Sequence, residues 1–222
     1  MTRKCAFLLS VIMTLSNYII AQGTTNTGRK VFYGINTIHT AINSIQFYKM
    51  PPSGYRQFKI SPIDKIVPLT LNKKVARVSD LTFLGTVAIT SAAILVNKSK
   101  NDRYIYGLRT LENLWVTYNI TESLKNNVKR MRPYAYSAGI SKKDDFRSFV
   151  SGHSSLTASL ATSLWLSKPK NKVLPIITSA LSISTAALRI KAGKHFTSDV
   201  LAGMAIGVGV SLLHQKISPV GR

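Results

Sequence analysis

The sequence predicts an all-α fold, an antiparallel helical bundle, and two observations support this prediction. From residue 80 onward the chain holds five apolar segments rich in Ala, Leu, Ile, Ser and Thr, each too long for an ordinary strand. Short connections of Lys, Pro, Asn and Gly separate the segments, as between antiparallel neighbours in a bundle. The predicted helices are residues 81–96, 104–124, 154–166, 173–188 and 200–213.

The same segments raise the question of a membrane. A spanning helix needs about 20 mostly apolar residues. These segments are shorter or interrupted, as 104–124 is by Arg109 and Glu112, so length alone favours core helices or short spans. The basic stretches 97–103, 168–172 and 214–222 would all lie on one side, as the positive-inside rule requires, although the other loops are basic too. The sequence favours short membrane-spanning helices and leaves a soluble periplasmic bundle as the alternative.

Residues 1–21 predict a secretory signal peptide, with an uncleaved first membrane helix as the alternative. Arg3 and Lys4 precede an apolar run, and Ala21 is a suitable cleavage position. Either reading directs the chain to or across a membrane, so we expect it in the membrane or periplasm. The single cysteine, Cys5, lies in this segment, which excludes disulfides and cysteine–zinc sites from a mature chain.

The rest of the chain divides by composition. Residues 22–79 are mixed and polar and predict an N-terminal extension or connector, with its clearest loop at "MPPSGYRQFKISP" (50–62). Residues 80–215 form the predicted helical domain, and 216–222 form a basic tail.

Charge indicates what the protein binds. Thirty Lys and Arg residues stand against eight Asp and Glu, a formal net charge of +22, which favours anionic partners. No nucleic-acid-binding signature accompanies the charge, so we expect no nucleic acid partner. Phosphorylated molecules and an anionic membrane surface remain.

Three short pieces concentrate the unusual residues: "KNNVKRMRP" (125–133), "VSGHSS" (150–155) and "RIKAGKHFTSD" (189–199). The first closes the second predicted helix, the next opens the third, and the last joins the fourth to the fifth. In an antiparallel bundle with short connections, all three lie at the same end. We therefore expect a site there.

The third piece pairs a histidine with a carboxylate. His195 precedes Asp199 by four residues, a spacing that can place both side chains on one face. A carboxylate beside an imidazole fixes its tautomer, which helps a histidine to act as nucleophile or base. The alternative is a helix cap, because Asp199 and the two residues before it all suit a helix start.

The other two pieces suit an anion. Ser151 is a candidate N-cap, Gly152 permits close backbone approach, and His153 would lie in the first turn, where helix N-termini bind phosphate. A phosphate needs several fixed donors, and the candidates are Lys125, Arg132 and Arg189. Pro133 is expected to stop the helix. Solvated charge or substrate attraction is predicted for Lys129, Arg130, Lys191 and Lys194.

In order, the pattern is Lys-x6-Arg-Pro, Ser-Gly-His and Arg-x5-His-x3-Asp. It resembles the three-part signature of the type 2 phosphatidic acid phosphatase (PAP2) family, related to bacterial class A acid phosphatases and vanadium haloperoxidases. The resemblance covers the C-terminal two-thirds and implies a bundle of the PAP2/haloperoxidase type. Two positions depart from it: Val150 stands where the family usually has Pro, and Leu188 where it usually has Ser.

The resemblance implies a mechanism. His195 would attack phosphorus and form a phosphohistidine, Asp199 would orient His195, and His153 would protonate the leaving oxygen and then activate water. Phosphoryl oxygens would be held by Lys125, Arg132, Arg189 and the backbone around Ser151 and Gly152. No metal or other cofactor is implied.

The implied activity is hydrolysis of a phosphate monoester or diphosphate outside the cytoplasm. The substrate would be a phosphorylated lipid if the helices span, or a small phosphate ester if the bundle is a soluble acid phosphatase. A vanadate-dependent haloperoxidase and a non-catalytic phosphate binder are further alternatives.

Overall fold

The computed structural model describes residues 26–48, 59–96, 99–139 and 142–217. Over these ranges the chain forms two short 3-10 helices, Pro62–Asp64 and Lys143–Phe146, and seven α-helices. The α-helices are α1 (Asn26–Tyr48), α2 (Lys73–Leu95), α3 (Lys100–Val128), α4 (Ala135–Ala138), α5 (Gly152–Leu166), α6 (Val173–Lys191) and α7 (Thr197–Ile217). The predicted all-α fold is confirmed. The predicted signal segment lies outside the described residues, as do 50–58 of the predicted loop and 218–222 of the tail.

The five predicted helices are all present as α2, α3, α5, α6 and α7, and most are longer than predicted. Polar caps set some of their starts: the Asn72 side chain accepts from the Val75 N–H at 3.1 Å, and the Ser99 hydroxyl accepts from the Asp102 N–H at 3.2 Å. Apolar patterning cannot show such polar first turns. Their greater length removes the length argument against spanning for α2, α6 and α7, whereas α5, with 15 residues, remains short for a span.

Helix α1 lies in the region where the sequence indicated only a polar connector. It packs against α3 mainly through polar contacts, with the Tyr33 hydroxyl donating to Glu112 at 3.0 Å and His39 Nε2 lying 2.8 Å from the Ser123 hydroxyl. Its exposed face carries Ile38, Ile42 and Ile45 at helical spacing, so the sequence did contain a signal for this helix.

Helix α5 is central and packs against α2, α3, α6 and α7. Its contacts use small residues and hydroxyls: the Ser155 hydroxyl lies 3.0 Å from that of Thr121, and the Ser159 hydroxyl 3.1 Å from that of Ser211. Helix α7 approaches so closely that a Cβ at Gly207 would lie 2.0 Å from the Ser155 carbonyl oxygen. Small residues that let helix backbones meet are typical of helix pairs in membranes.

The outer faces are apolar, in contrast to these polar seams. Large exposed side chains include Leu81, Leu84, Ile176, Ile183 and Leu201. Within the part of the chain that the structure describes, three helical segments are long and apolar enough to cross a membrane: Lys73–Leu95, Val173–Lys191 and Thr197–Lys216. Because neighbours alternate in direction, α3 and α6 end where α2, α5 and α7 begin. We call this the site end.

Candidate active site

The three sequence pieces meet at the site end. Backbone hydrogen bonds join them: the Ser148 N–H donates to Arg130 O at 2.9 Å, and the Tyr134 N–H donates to Gly193 O at 3.1 Å. Helix α3 ends four residues before Arg132, because Lys129 adopts the left-handed conformation (φ 54°, ψ 44°). The expectation that Pro133 stops the helix is therefore wrong.

The His195 side chain is almost fully enclosed. It lies in the loop before α7, 1% exposed, with Nδ1 2.7 Å from the Ser148 carbonyl oxygen. Since a carbonyl only accepts, Nδ1 carries the proton and Nε2 keeps its lone pair. That lone pair faces an Arg132 guanidinium nitrogen at 3.2 Å. The ring is thus held in the tautomer that a nucleophile requires.

The charge state of His195 follows from its surroundings. Burial lowers the pKa of His195 well below its usual value, and the cations Arg132, Arg189 and Lys125 lower this pKa further. The imidazole is neutral at physiological pH, so its lone pair is available.

Asp199 reaches His195 through an intermediary. Its Oδ2 lies 4.0 Å from His195 Nδ1, too far for a hydrogen bond, but accepts from the Ser148 hydroxyl at 2.5 Å. The same oxygen accepts from the Phe196 N–H at 2.8 Å, the reach-back contact of a capping box at the start of α7. Asp199 therefore both caps α7 and holds Ser148, whose carbonyl holds His195.

Arg130 is a structural cation that the sequence analysis misassigned. It is 7% exposed, and its guanidinium donates to Asp199 Oδ1 at 2.6 Å and to Asp64 Oδ2 at 2.8 Å. Its predicted role as a solvated charge is wrong, and Lys129 is also buried. Lys191 is exposed as predicted, whereas Lys194 is half-buried. The sequence of the segment 125–133 does not indicate which of its Lys and Arg side chains is buried.

Asp64 belongs to the region indicated as a connector. It accepts from the Ser198 N–H at 2.9 Å and from the Ser198 hydroxyl at 2.8 Å. Burial alone would raise the pKa of Asp64, but hydrogen bonds from Ser198 and Arg130 outweigh burial and lower this pKa. The following segment braces the loop before His195, because a Cβ at Gly193 (φ 68°) would lie 2.3 Å from Thr70 O.

His153 lies in the first turn of α5. We call His195 with its supports Ser148, Asp199 and Arg130 the His195 wall of the site, and His153 with Asp80 and Arg189 the His153 wall. Its Nε2 lies 3.0 Å from Asp80 Oδ1, its ring contacts that of Phe83, and its side chain is 32% exposed. Burial and the nearby cations Arg189 and Lys125 lower the pKa of His153 to about 4, although Asp80 opposes this effect.

The three predicted phosphate-binding cations surround the two histidines. Lys125 and Arg189 act electrostatically on both imidazoles, so both cations lie near both histidines. Arg132 is anchored by Asp144 at 2.9 Å, and Arg189 by Asp80 at 3.1 Å. Lys125 lies so close to Gly152 that a Cβ there would be 2.9 Å from its Nζ, so a larger residue would displace the ammonium group.

The start of α5 completes the site. Ser151 occupies the N-cap position as predicted, but its side chain does not cap the helix; its hydroxyl instead accepts from the Ser154 hydroxyl at 2.9 Å. The first-turn N–H groups therefore have no capping side chain from Ser151, and this turn holds no acidic residue. Such an N-terminus suits an anion.

Several groups that the structure places at the site were not assigned to it from the sequence: Asp64, Asp80, Arg130, Asp144 and the carbonyl of Ser148. Acidic residues are scarce in this chain, so each carboxylate near a cationic motif was a signal. Asp80 stands directly before the first apolar segment. Within the described ranges, no three His, Cys, Asp or Glu side chains gather where a metal ion could be held.

A helical bundle that places two histidines and several fixed cations at a helix N-terminus is an arrangement suited to binding a phosphoryl group. The PAP2 superfamily model matches residues 106–219, and the chain belongs to this superfamily. The resemblance is confirmed, and the chain is a PAP2-type phosphatase. The matched range includes every predicted site residue and excludes Asp64 and Asp80.

Among solved structures, the chain is similar to a transmembrane PAP2 type phosphatidylglycerolphosphate phosphatase from Bacillus subtilis. The two are 20% identical, the alignment covers 99% of this chain and 98% of that chain, and the TM-score is 0.49. No curated protein matches the chain.

Proposed function

We propose that the protein hydrolyses a lipid-linked phosphate monoester or diphosphate through a phosphohistidine on His195, without a metal, on the outer side of the membrane. One observation carries the proposal. His195 Nε2 keeps its lone pair and faces the Arg132 guanidinium at 3.2 Å, beside Lys125 and Arg189. A phosphoryl group between Nε2 and these cations would meet a nucleophile and its charge stabilisation together.

In the first step, the Nε2 lone pair forms a bond to phosphorus while the bond to the leaving oxygen breaks. Arg132, Lys125, Arg189 and the N–H groups at the start of α5 hold the other phosphoryl oxygens. The leaving oxygen takes the proton from Nε2 of protonated His153, in the place that Asp80 Oδ1 occupies at 3.0 Å. The leaving group departs as an alcohol, or as a phosphate when the substrate is a diphosphate.

In the second step, water attacks the phosphorus of the phosphohistidine, and neutral His153 accepts a proton from that water. The P–N bond breaks, and the electron pair returns to Nε2. Inorganic phosphate leaves, and His195 is again neutral, with Nδ1 still donating to Ser148 O. His153 is again protonated, so the cycle is balanced.

An apolar cavity favours a lipid substrate. It has a volume of about 430 Å³, lies between α2, α3 and α5, and is lined by Phe83, Val87, Leu111, Leu114, Trp115, Tyr118, Leu156 and Leu160. Phe83 also contacts the His153 ring, with centroids 4.9 Å apart, so the cavity begins beside the proton donor. A hydrocarbon chain placed there would leave its phosphate at the cations.

Charge at the end opposite the site supports the proposed side, although the site end also exposes Lys65, Lys73, Lys74 and Lys191. The end opposite the site carries Lys168, Lys170 and Lys172, with Trp165 partly exposed beside them. Basic loops face the cytoplasm in most membrane proteins, and Trp is common at membrane interfaces. The site end then faces outward.

A phosphate-release assay tests the proposal. Purified protein in detergent is given phosphatidate, a prenyl diphosphate and a soluble phosphate ester, with and without a metal chelator. We expect hydrolysis of the lipids that survives the chelator and is lost in His195→Asn. Wild-type activity on the soluble ester alone, or full activity in His195→Asn, contradicts the proposal. Membrane association is checked separately, since release from membranes by carbonate contradicts spanning.

A further inference from the structure

Asp80 places a carboxylate inside a site built for anions. Its Oδ1 lies 3.0 Å from His153 Nε2 and 3.1 Å from an Arg189 guanidinium nitrogen. Its side chain is 53% exposed, so it lies at the mouth of the site rather than in the core. Asp144, which holds Arg132, is also partly exposed, but Asp80 contacts the proposed proton donor itself.

The position of Asp80 along α2 locates it relative to the substrate. Phe83 follows three residues later, on the same face of the helix, and lines the apolar cavity. Asp80 therefore lies between the cavity for the hydrocarbon chain and the cations for the phosphate. The atoms that connect chain and phosphate in a bound lipid would pass beside this carboxylate.

We propose that Asp80 is a specificity-determining residue that selects phosphate monoesters over diphosphates. The inference rests on the proposed function, in which His153 Nε2 protonates the leaving oxygen. The group beyond that oxygen lies on the Asp80 side. In a monoester this group is a neutral carbinol, whereas in a diphosphate it is a second phosphate with at least one negative charge.

Like charges at this place raise the barrier for the diphosphate alone. Two unit charges about 6 Å apart at a half-exposed site change a rate about tenfold. Arg189, the nearest cation that could neutralise the second phosphate, already donates to Asp80 at 3.1 Å. Loss of the carboxylate removes the repulsion and frees Arg189 for the leaving phosphate.

A matched pair of substrates measures the effect. Farnesyl phosphate and farnesyl diphosphate share one chain and differ in the leaving group, so the ratio of their initial kcat/KM values compares the two leaving groups directly. A change in the proton donor does not cancel in this ratio, because an alcohol leaving group needs the proton more than a phosphate does. Asp80→Asn is therefore also measured in a His153→Asn background, where the charge of Asp80 is the difference that remains. The wild type, Asp80→Asn, Asp80→Glu and Asp102→Asn are compared in one detergent. Asp102 is the control because it loses the same charge at the opposite end of α3.

We expect Asp80→Asn to raise the diphosphate-to-monoester ratio about tenfold over the wild-type ratio. The ratio should stay at the wild-type value in Asp80→Glu and Asp102→Asn. An unchanged ratio in Asp80→Asn, or an equal rise in Asp102→Asn, overturns the inference. If Asp80→Asn does not fold, Asp80→Ser gives the same test, because it also removes the charge.

The two proposals fail in different ways. If His195→Asn is inactive and the wild type hydrolyses the farnesyl substrates, an unchanged Asp80→Asn ratio contradicts only the role of Asp80. If His195→Asn hydrolyses both substrates at the wild-type rate, the proposed function fails, whatever the ratio does. A wild type that hydrolyses neither substrate contradicts both.

Discussion

The two walls of the site differ in how firmly they hold their histidines. His195 is 1% exposed and stands on a chain of buried contacts through Ser148 and Asp199 to Arg130. His153 is 32% exposed, and its partner, Asp80, is half in solvent. This difference fits the proposed roles of the two histidines. An atom that attacks phosphorus needs one fixed position, whereas a proton donor must reach leaving groups of different shape.

The bracing of the His195 wall comes from distant parts of the chain. Arg130 joins Asp199 in α7 to Asp64 near the first 3-10 helix, and Thr70 presses on Gly193. The His153 wall relies on one half-exposed carboxylate, Asp80, whereas Asp64 and Asp199 of the first wall are buried. The first wall is therefore expected to resist change, and the second to tolerate it.

Replacing each histidine tests this division most strongly. His195→Asn removes the nucleophile, so we expect kcat to fall by about 10⁴ or more, to background. His153→Asn removes only general acid–base help, and a loss of roughly 10²–10⁴ is expected. The measurement is phosphate release from phosphatidate in detergent. Equal residual activity in the two variants would remove the distinction between the walls.

Arg130 and Arg189 should contribute differently to the free energy of unfolding. Arg130→Met leaves Asp199 and Asp64 buried without their cation, which costs about 3–5 kcal/mol. Arg189→Met leaves the half-exposed Asp80 to water, so a cost of no more than about 1 kcal/mol is expected. Thermal unfolding in detergent, followed by tryptophan fluorescence, compares them. A cost for Arg189→Met as large as that for Arg130→Met argues against a looser second wall.

The pH dependence should report the His153 wall alone. The pKa of His195 lies well below its usual value, so His195 stays neutral over most of the assay range. The reaction needs protonated His153, whose pKa is about 4 in the free protein, so kcat/KM should fall as pH rises above that value. Asp80 raises the pKa of His153, and Asp80→Asn should therefore move the fall to lower pH. Profiles of both proteins on one substrate test this sign, and a shift to higher pH contradicts it.

The smallest effect is expected at Val150, between the walls. This side chain is fully buried just before α5, at the position where the family usually has Pro. Proline restricts the approach to the helix, so Val150→Pro should keep or raise activity in the phosphatidate assay. A large loss would show that this loop follows a path different from that of the family.

The sequence predicted the motif residues that meet at the site better than the residues that hold them in place. Apolar patterning predicted α2, α3, α5, α6 and α7, and short connections predicted that the three motif pieces meet. Helix α1 was missed although Ile38, Ile42 and Ile45 recur at helical spacing, because the many polar residues between them indicated a connector.

Partners that lie far apart in sequence were also beyond reach. Arg130 and Asp64 are 66 residues apart, and no local pattern pairs them. The contact of Ser148 with His195 uses a backbone carbonyl, which every residue carries, so residue identity gives no signal. Asp80 precedes the motifs in sequence, and it reaches the site only because α2 packs against α6.

The central claim is that phosphate passes through His195. The enzyme is mixed with farnesyl diphosphate that carries ³²P in its terminal phosphate, and the reaction is quenched rapidly. Protein-bound label that is stable to base and labile to acid is then located by peptide mapping, which tests the claim directly. We predict label on the peptide that contains His195 in the wild type, more label in His153→Asn if water activation becomes slower than attack, and none in His195→Asn. Rapid hydrolysis with no labelled protein at any quench time, or label retained in His195→Asn, would contradict the account.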